Sequence, residues 1–404
     1  MALFKVAFNM GGATILMKAS VTRRHVSPRS RAGTYQHQST GYRAFIPTPL
    51  PPRPRVKLTG NLQRLLSQAD LALGRLDGSI QTLPNPDLFV FMYVRKEAVL
   101  SSQIEGTQSS LQDLLAAEAQ LYTSTPKDVD EVVNYVAAMN YGLERLSELP
   151  VSVRLIREIH KKLLDGVRGS RLAPGELRRT QNWIGPSGCT LSEAIFVPPP
   201  PDIVADALSA LERFLHNERH LPLLIKIGLA HAQFETIHPF LEGNGRVARL
   251  LITFLLCEGG VLHKPVLYLS HYFRRHRQAY YDLLQSIRDR GQWEAWLNFF
   301  LRGVAEVSVQ ATETARRILT LREGHRNLIT DNLGYSAGNG HRVLEHLYER
   351  PIISVNEIRD LTGTTYQAAN QLVERLVSIE VLREITGQAR HRRFRYDAYV
   401  RLFD

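Results

Sequence analysis

From about Leu58 onward, apolar residues recur at three- and four-residue spacing (Leu62, Leu65, Leu66, Ala69, Leu73) with no strand alternation, which predicts an amphipathic helix. The same period predicts helices over Asp87 to Ser102, broken by Gly106, and over Val129 to Leu146, Val151 to Leu164, Ile203 to Asn217 and Leu223 to Phe234. A further helix over Arg246 to Glu258 is stopped by Gly259-Gly260. One strand pair is expected, Trp183-Ile184 against Ile195-Phe196-Val197, around the turn Gly185-Pro186-Ser187-Gly188. After Leu301 a helix rich in Ala, Thr and Arg runs to a polar break at Asn332 to Gly340. Beyond it the pattern reads helix (His341 to Glu349), short helix (Val355 to Thr362), a Gly363 turn, helix (Tyr366 to Ser378), and strands Leu382 to Thr386 and Arg393 to Tyr396.

The expected fold class is therefore an all-α core with a small β-hairpin flap, followed by a segment whose element order resembles a winged helix-turn-helix. A chain of 404 residues is too long for one compact core and predicts several domains. The divisions expected are a basic, disordered extension over 1–45, an N-terminal helical region over 46–150, a core over 151–305, a helical linker over 306–335 and the winged-helix-like segment over 336–404.

Composition refines this picture in two ways. The net charge of +11 would suggest a nucleic-acid partner if it were spread over the chain, but it is not. Met1 to Ala69 holds eleven Lys and Arg and no acidic residue, so this segment carries the whole excess. Its apolar stretches Ala2 to Phe8 and Ala13 to Met17 give it a faint likeness to a targeting peptide, although a disordered extension is the expectation. Five prolines between Pro47 and Pro54 predict a stiff entry into the first helix. Second, no run of eighteen apolar residues occurs, so no membrane helix is expected and the cytoplasm is the expected location. The two cysteines, Cys189 and Cys257, are expected as ordinary thiols, with neither a disulfide nor a zinc site.

The chemistry concentrates in His238-Pro239-Phe240-Leu241-Glu242-Gly243-Asn244-Gly245-Arg246-Val247-Ala248-Arg249. One helix runs into this stretch and another runs out of it, so Gly243-Asn244-Gly245 sits at a helix N-terminus. There, unpaired N–H groups and the positive end of the macrodipole favour a bound phosphate. Arg246 and Arg249, three apart on one helix face, are candidates to converge on the outer phosphates of a triphosphate. Glu242 suits a magnesium ion that takes most of its ligands from phosphates and water. His238 can take a proton from a hydroxyl near neutral pH. Pro239 and Phe240 are expected as scaffold.

This stretch resembles the signature HxFx[D/E]GNGRxxR of the Fic family at every defining position. The resemblance implies a protein adenylyltransferase, which moves AMP from ATP to a Tyr, Thr or Ser hydroxyl of a protein and releases pyrophosphate. It casts His238 as base, Glu242 as the Mg2+ ligand, Gly243, Asn244 and Gly245 as the phosphate cradle, and Arg246 and Arg249 as clamps. Family members with lysine in place of the second glycine behave as kinases, and Gly245 argues against that variant. Ala248 departs from a common glycine, a change of packing rather than chemistry.

Upstream, Ser101-Ser102-Gln103-Ile104-Glu105-Gly106 resembles the family's inhibitory motif [S/T]xxxE[G/N]. Ser101 and Glu105 share a helical face at i and i+4, and Gly106 permits a close approach to another backbone. The resemblance places Glu105 against Arg249. It also identifies Asn182 to Val197 with the hairpin that holds the target segment as an added strand, and makes Tyr281 a candidate for the adenine pocket. The partners implied are a protein substrate or the chain itself. Through the winged-helix-like segment, DNA, another protein or a second copy of the chain are candidates too. A rival reading is a DNA-binding regulator with the Fic body as a nucleotide sensor. In it Thr364, Thr365, Tyr366, Gln367, Asn370, Gln371 and Arg375 face the major groove, and Arg390, Arg392, Arg393 and Arg395 sit near phosphates.

Overall fold

The computed structural model describes residues 6–8, 30–81, 83, 85–121, 128–186 and 188–403. Most of the targeting-peptide-like stretch, including Ala13 to Met17, lies outside the described residues. Three short strands come first: β1 (Val6–Phe8), β2 (Gly33–His37) and β3 (Arg43–Pro47). Helices α1 (Gly60–Gln81), α2 (Asp87–Ile104), α3 (Leu111–Glu118), α4 (Val129–Arg145) and α5 (Val153–Leu163) follow, then strand β4 (Ile184–Pro186). The body is completed by α6 (Pro201–Asn217), α7 (Leu223–Ile237), α8 (Asn244–Glu258), α9 (Ser270–Arg275), α10 (Arg277–Arg290) and α11 (Trp293–Leu333).

Helices α7 and α8 form the centre. Every residue from Ile227 to Ile237 and from Asn244 to Leu256 is buried, as expected of helices enclosed on all sides. Around them, α5 packs on α8, α6 and α10 on α7, and α2 lies between α4, α9 and α8. The loop from His238 to Gly243 thus emerges where the two most constrained helices meet. Helix α1 buries the stripe Leu62, Leu65, Leu66, Ala69 and Leu73 that its period predicts. Its partner is α11, which is 41 residues long and about 60 Å end to end at 1.5 Å per residue. Val307, Ala311, Ala315 and Ile318 of α11 are buried, so residues 306–335 are part of the packed body rather than a linker.

Two further expectations are corrected. Residues 33–47 depart from the disorder expected over 1–45, because β2 and β3 pair as an antiparallel hairpin with Tyr35 opposite Phe45. Ala44 and Phe45 are fully buried, the Phe45 N–H donates to the Val197 carbonyl, and Arg31 is paired with Glu294 at 2.8 Å. A basic, polar composition hid a hairpin whose partners lie far along the chain. The expected strand pair near residue 184 is a single bridge, Ile184 to Phe196, with a 3-10 turn over Leu191–Glu193 between. Instead β4 carries a parallel ladder with β1, Val6 opposite Ile184.

The polar break contracts to a 3-10 turn at Gly334–Ser336. After it come α12 (Ala337–Glu349), β5 (Ile352–Ser354), α13 (Val355–Thr362), α14 (Tyr366–Ser378), β6 (Arg383–Glu384), β7 (Arg393–Arg395) and α15 (Asp397–Val400). The three strands form one sheet in the order β5, β7, β6. This module rests on α11 and α2, with Phe403 edge-on to Tyr93 at 5.4 Å. Among the described residues no helix is long and apolar enough to cross a membrane. Cys189 and Cys257 are both free thiols.

Glu97 of α2 is a test of burial. It is 2% exposed, accepts hydrogen bonds from Ser270 and Tyr135, and its Oε2 has no partner among the described residues. Burial pushes its carboxyl from the ordinary 4.5 up to about 7. The folded state therefore holds this proton more tightly than the unfolded chain. Its contribution to stability is complete below 4.5 and is lost as pH rises through about 7. Glu97→Gln is expected to be near neutral at pH 4 to 5 and stabilising at pH 8, by on the order of 2 to 3 kcal/mol. Urea melts at both pH values check this, and an equal shift at the two would remove the ionisation from the explanation.

Candidate functional site

His238 ends α7 in the left-handed region (φ 49°, ψ 61°), a conformation that non-glycine residues adopt rarely and at a cost. It is held there from both sides. Its N–H donates to the Phe234 carbonyl at 2.9 Å, and its carbonyl accepts from Arg178 Nε at 2.9 Å and Asn182 Nδ2 at 3.4 Å. Arg178 also donates to the carbonyls of Ile237 and Pro199, so this buried guanidinium caps the end of α7. Burial first, then Arg178 and Arg288, pushes the His238 imidazole down to about 3, with the Glu235 main-chain carbonyl pulling the other way. The ring is therefore neutral and able to accept a proton. Its Nε2 has no hydrogen-bond partner among the described residues.

The rest of the loop is braced by side chains that the motif reading does not identify. Phe240 is fully buried and stacks on His160 at 3.7 Å between ring centres. His160 Nδ1 accepts from the Gly175 N–H at 2.8 Å, so its Nε2 carries the proton donated to the Glu242 carbonyl at 2.9 Å. Asn244 closes the turn on itself: Nδ2 donates to the Phe240 carbonyl and Oδ1 accepts the Phe240 N–H, each at 2.8 Å. Its side chain shapes the cradle. Gly243 caps α8 at φ 80°, which glycine adopts without strain. A Cβ on Gly245 would lie 2.1 Å from Glu105 Oε1.

The two arginines separate. Arg249 Nη2 donates to Glu105 Oε1 at 2.6 Å and to the Ser101 carbonyl at 3.0 Å, while its Nε donates to Ser101 Oγ at 2.8 Å. Ser101 is fully buried, Glu105 follows the last residue of α2, and Gly106 turns the chain away at φ 99°. Arg246 is fully buried and pairs with Glu131 of α4 at 3.1 Å and with Glu242 at 3.7 Å. Arg249 lines the cavity, while the Arg246 guanidinium is held behind the loop by Glu131 and Glu242. Glu242 also faces Arg168 at 3.6 Å. Burial raises its carboxyl, and Arg168 and Arg246 lower it.

These groups surround a cavity of about 460 Å3. Its floor is Gly243, Asn244, Gly245 and Arg249. One wall is the flap, with Ile184, Ile195 and Phe196, and another is α10, with Arg277, Gln278, Tyr281 and Asp282. Glu105, Glu235, His238, Glu242 and Arg288 complete it. Arg288 ties flap to helix: its guanidinium lies 3.7 Å over the Phe196 ring and donates to the Glu235 carbonyl at 3.1 Å. Neither Glu235 nor Arg288 belongs to a recognisable motif.

Comparison with known proteins agrees with this geometry. Residues 63–144 match the model described as Fic/DOC family N-terminal, and residues 150–256 match the model described as Fic/DOC family. A protein of Aquifex aeolicus named "Probable protein adenylyltransferase" is 30% identical over 47% of this chain and 56% of its own length. A Culex quinquefasciatus protein named "Protein adenylyltransferase Fic" is 29% identical over 48% of this chain and 37% of its own length. The chain thus spans about half or less of these curated relatives. The crystal structure of a Fic family protein from Desulfovibrio desulfuricans G20 superposes with a TM-score of 0.56 at 18% identity, covering 84% of this chain and 97% of that one. Two adjoining family models are matched between residues 63 and 256 and the signature loop is intact, so this stretch of the chain is similar to the Fic/DOC family.

Proposed function

We propose that the protein is an adenylyltransferase that moves AMP from ATP to a Tyr, Thr or Ser hydroxyl of a protein, and that the Glu105–Arg249 pair is its brake. The observation that carries the reading is the convergence of His238, the Gly243–Gly245 turn and Arg249 on one cavity beside the flap. In this reaction the substrate hydroxyl oxygen attacks the α-phosphorus while its proton passes to His238 Nε2. The bond from the α-phosphorus to the bridging oxygen breaks, and pyrophosphate leaves. The N-terminus of α8 offers its main-chain N–H groups to the phosphates. Tyr281 and the neighbouring residues of α10 take the nucleobase. The flap lays the target segment beside β4, a use supported by the strand Val6–Phe8 already paired with that edge.

Among the described residues no cluster of three or more His, Cys, Asp or Glu is arranged for a metal ion. A lone hard-oxygen ligand nevertheless fits magnesium that is otherwise held by phosphates and water, and Glu242 at the cavity wall is that ligand. Magnesium bound there would offset phosphate charge. Glu242→Ala is expected to raise the magnesium concentration for half-maximal transfer by about tenfold or more. Part of the lost activity should return at high magnesium. Coincident metal titrations for the two proteins would give Glu242 another role.

The C-terminal module supports a second reading, docking of DNA through a winged helix, since α14 leaves Tyr366, Gln367 and Gln371 exposed after the Gly363 turn. The wing opposes it. Arg392 donates to Asn370, Arg393 pairs with Glu357 and Arg395 with Asp397, and Arg375 donates to the Asn332 carbonyl. Of the four wing arginines, Arg390 is the exposed one. Duplex affinity that falls steeply from low to moderate salt would favour this reading.

A further inference from the structure

Behind His238 runs a line of buried polar groups that the proposed transfer does not use. His231 and Tyr280 are each 1% exposed, and Glu235 is 6% exposed. His231 Nδ1 lies 3.0 Å from the Ala248 carbonyl, His231 Nε2 lies 2.9 Å from the Tyr280 hydroxyl, and that hydroxyl lies 3.4 Å from Glu235 Oε1. Counting donors orders the protons. A carbonyl only accepts, so His231 carries its hydrogen on Nδ1. Burial pushes His231 down to about 3, so it is neutral and its Nε2 must accept from Tyr280. Tyr280 has then spent its one hydrogen on His231, so its 3.4 Å contact with Glu235 Oε1 is a hydrogen bond only with a donor on the glutamate side.

We infer that Glu235 is a neutral carboxylic acid, donating from Oε1 to Tyr280 and offering Oε2 to His238 Nδ1, and that it is the positioning residue for the proposed base. Oε2 lies 3.9 Å from His238 Nδ1, within about 1 Å of hydrogen-bond range. His238 Nδ1 has no hydrogen-bond partner among the described residues, so closing this gap to Oε2 places the imidazole hydrogen on Nδ1. The Nε2 lone pair is then left for the substrate hydroxyl.

The surroundings set the protonation. Burial pushes Glu235 up to about 7, against the pull of Arg249 on α8 and Arg288 on α10, with Glu105 at the end of α2 reinforcing the rise. Tyr280 and Tyr281 on α10 and His231 on α7 are the other titratable neighbours. A neutral Glu235 leaves Glu105 as the carboxylate bound to Arg249, and leaves that cation to a phosphate once Glu105 withdraws. An ionised Glu235 would set a second negative charge beside it.

The inference rests on the proposed activity for its kinetic arm, so the variants are made on Glu105→Gly. Glu235→Ala is expected to lower kcat by about 10- to 100-fold with little change in the KM for ATP. Glu235→Gln should recover most of that loss, because its amide donates to Tyr280 and its carbonyl faces His238. The parent should lose rate as pH rises through the ionisation of Glu235, and Glu235→Gln should lack that limb. Thermal melting and ATP binding report whether each variant is folded. Independently of activity, the infrared difference between wild type and Glu235→Gln at about pH 6 should contain a protonated carboxylic acid band. A carboxylate band there, a Glu235→Ala protein as fast as its parent, or a Glu235→Gln protein as slow as Glu235→Ala would each overturn the inference. Absence of transfer by the Glu105→Gly parent would instead count against the proposed activity and leave the infrared result to decide the proton on Glu235.

Discussion

Replacing His238 with alanine is expected to lower AMP transfer by about a hundred- to ten-thousand-fold, the usual worth of a positioned general base. ATP affinity should stay within a few-fold of wild type. Neither imidazole nitrogen has a hydrogen-bond partner among the described residues, so its removal breaks no such bond to the Gly243–Gly245 turn or Arg249. The loop itself is pinned through main-chain atoms, by Arg178 and Asn182 on the His238 carbonyl and by Asn244 on Phe240. Alanine must still adopt φ near 49°, so a modest loss of thermal stability is expected, on the order of 1 kcal/mol. Single-turnover rates and ATP binding separate the two effects. Transfer at the wild-type rate would remove His238 from the chemistry.

Glu105→Gly is expected to raise transfer, including self-modification, by about ten- to a hundredfold at subsaturating ATP, since a single charge-assisted contact of this kind is worth roughly 1.5 to 3 kcal/mol. The carboxylate is bonded to Arg249 and overlies Gly245, so it occupies both the cation and the space that a γ-phosphate would use. Arg249 keeps its bonds to the Ser101 hydroxyl and carbonyl after Glu105 is gone, which leaves the guanidinium oriented rather than loose. For the same reason Arg249→Ala should cancel the gain in the double variant. Rates for wild type, both single variants and the double variant over a range of ATP concentrations decide the matter. A Glu105→Gly protein no faster than wild type would reduce the pairing to a structural contact.

Local regularities were legible from the chain. The α1 stripe, the extents of α4 to α7 and the glycine turn at the start of α8 follow from spacing, and the approach of Ser101 and Glu105 to Arg249 from the resemblance of one short motif to the family's. What escaped depends on partners far along the chain. Arg246 donates to Glu131, 115 residues away, a contact that nothing in the local sequence announces. His160 looks like an ordinary helical residue, yet it stacks on Phe240 and bonds the Glu242 carbonyl 82 residues on. Glu235 precedes the motif and Arg288 follows it by a helix, and neither carries a local signal of burial beside the cavity. The hairpin of residues 33–47 lies in a segment whose charge and glycines read as disorder, because its buried surface is supplied by the flap, α10 and the start of α11.

The reaction itself is open to one direct measurement. Purified Glu105→Gly protein is incubated with magnesium and with ATP labelled at either the α- or the γ-phosphate, and the protein hydroxyls and the released phosphates are followed by mass spectrometry. Label from the α-phosphate, carried with adenosine onto a Tyr, Thr or Ser and matched by pyrophosphate, is the expected result, and it should vanish when His238 is also alanine. Label transferred from the γ-phosphate, or none on protein while ATP binds, would contradict adenylyl transfer as the function of this cavity.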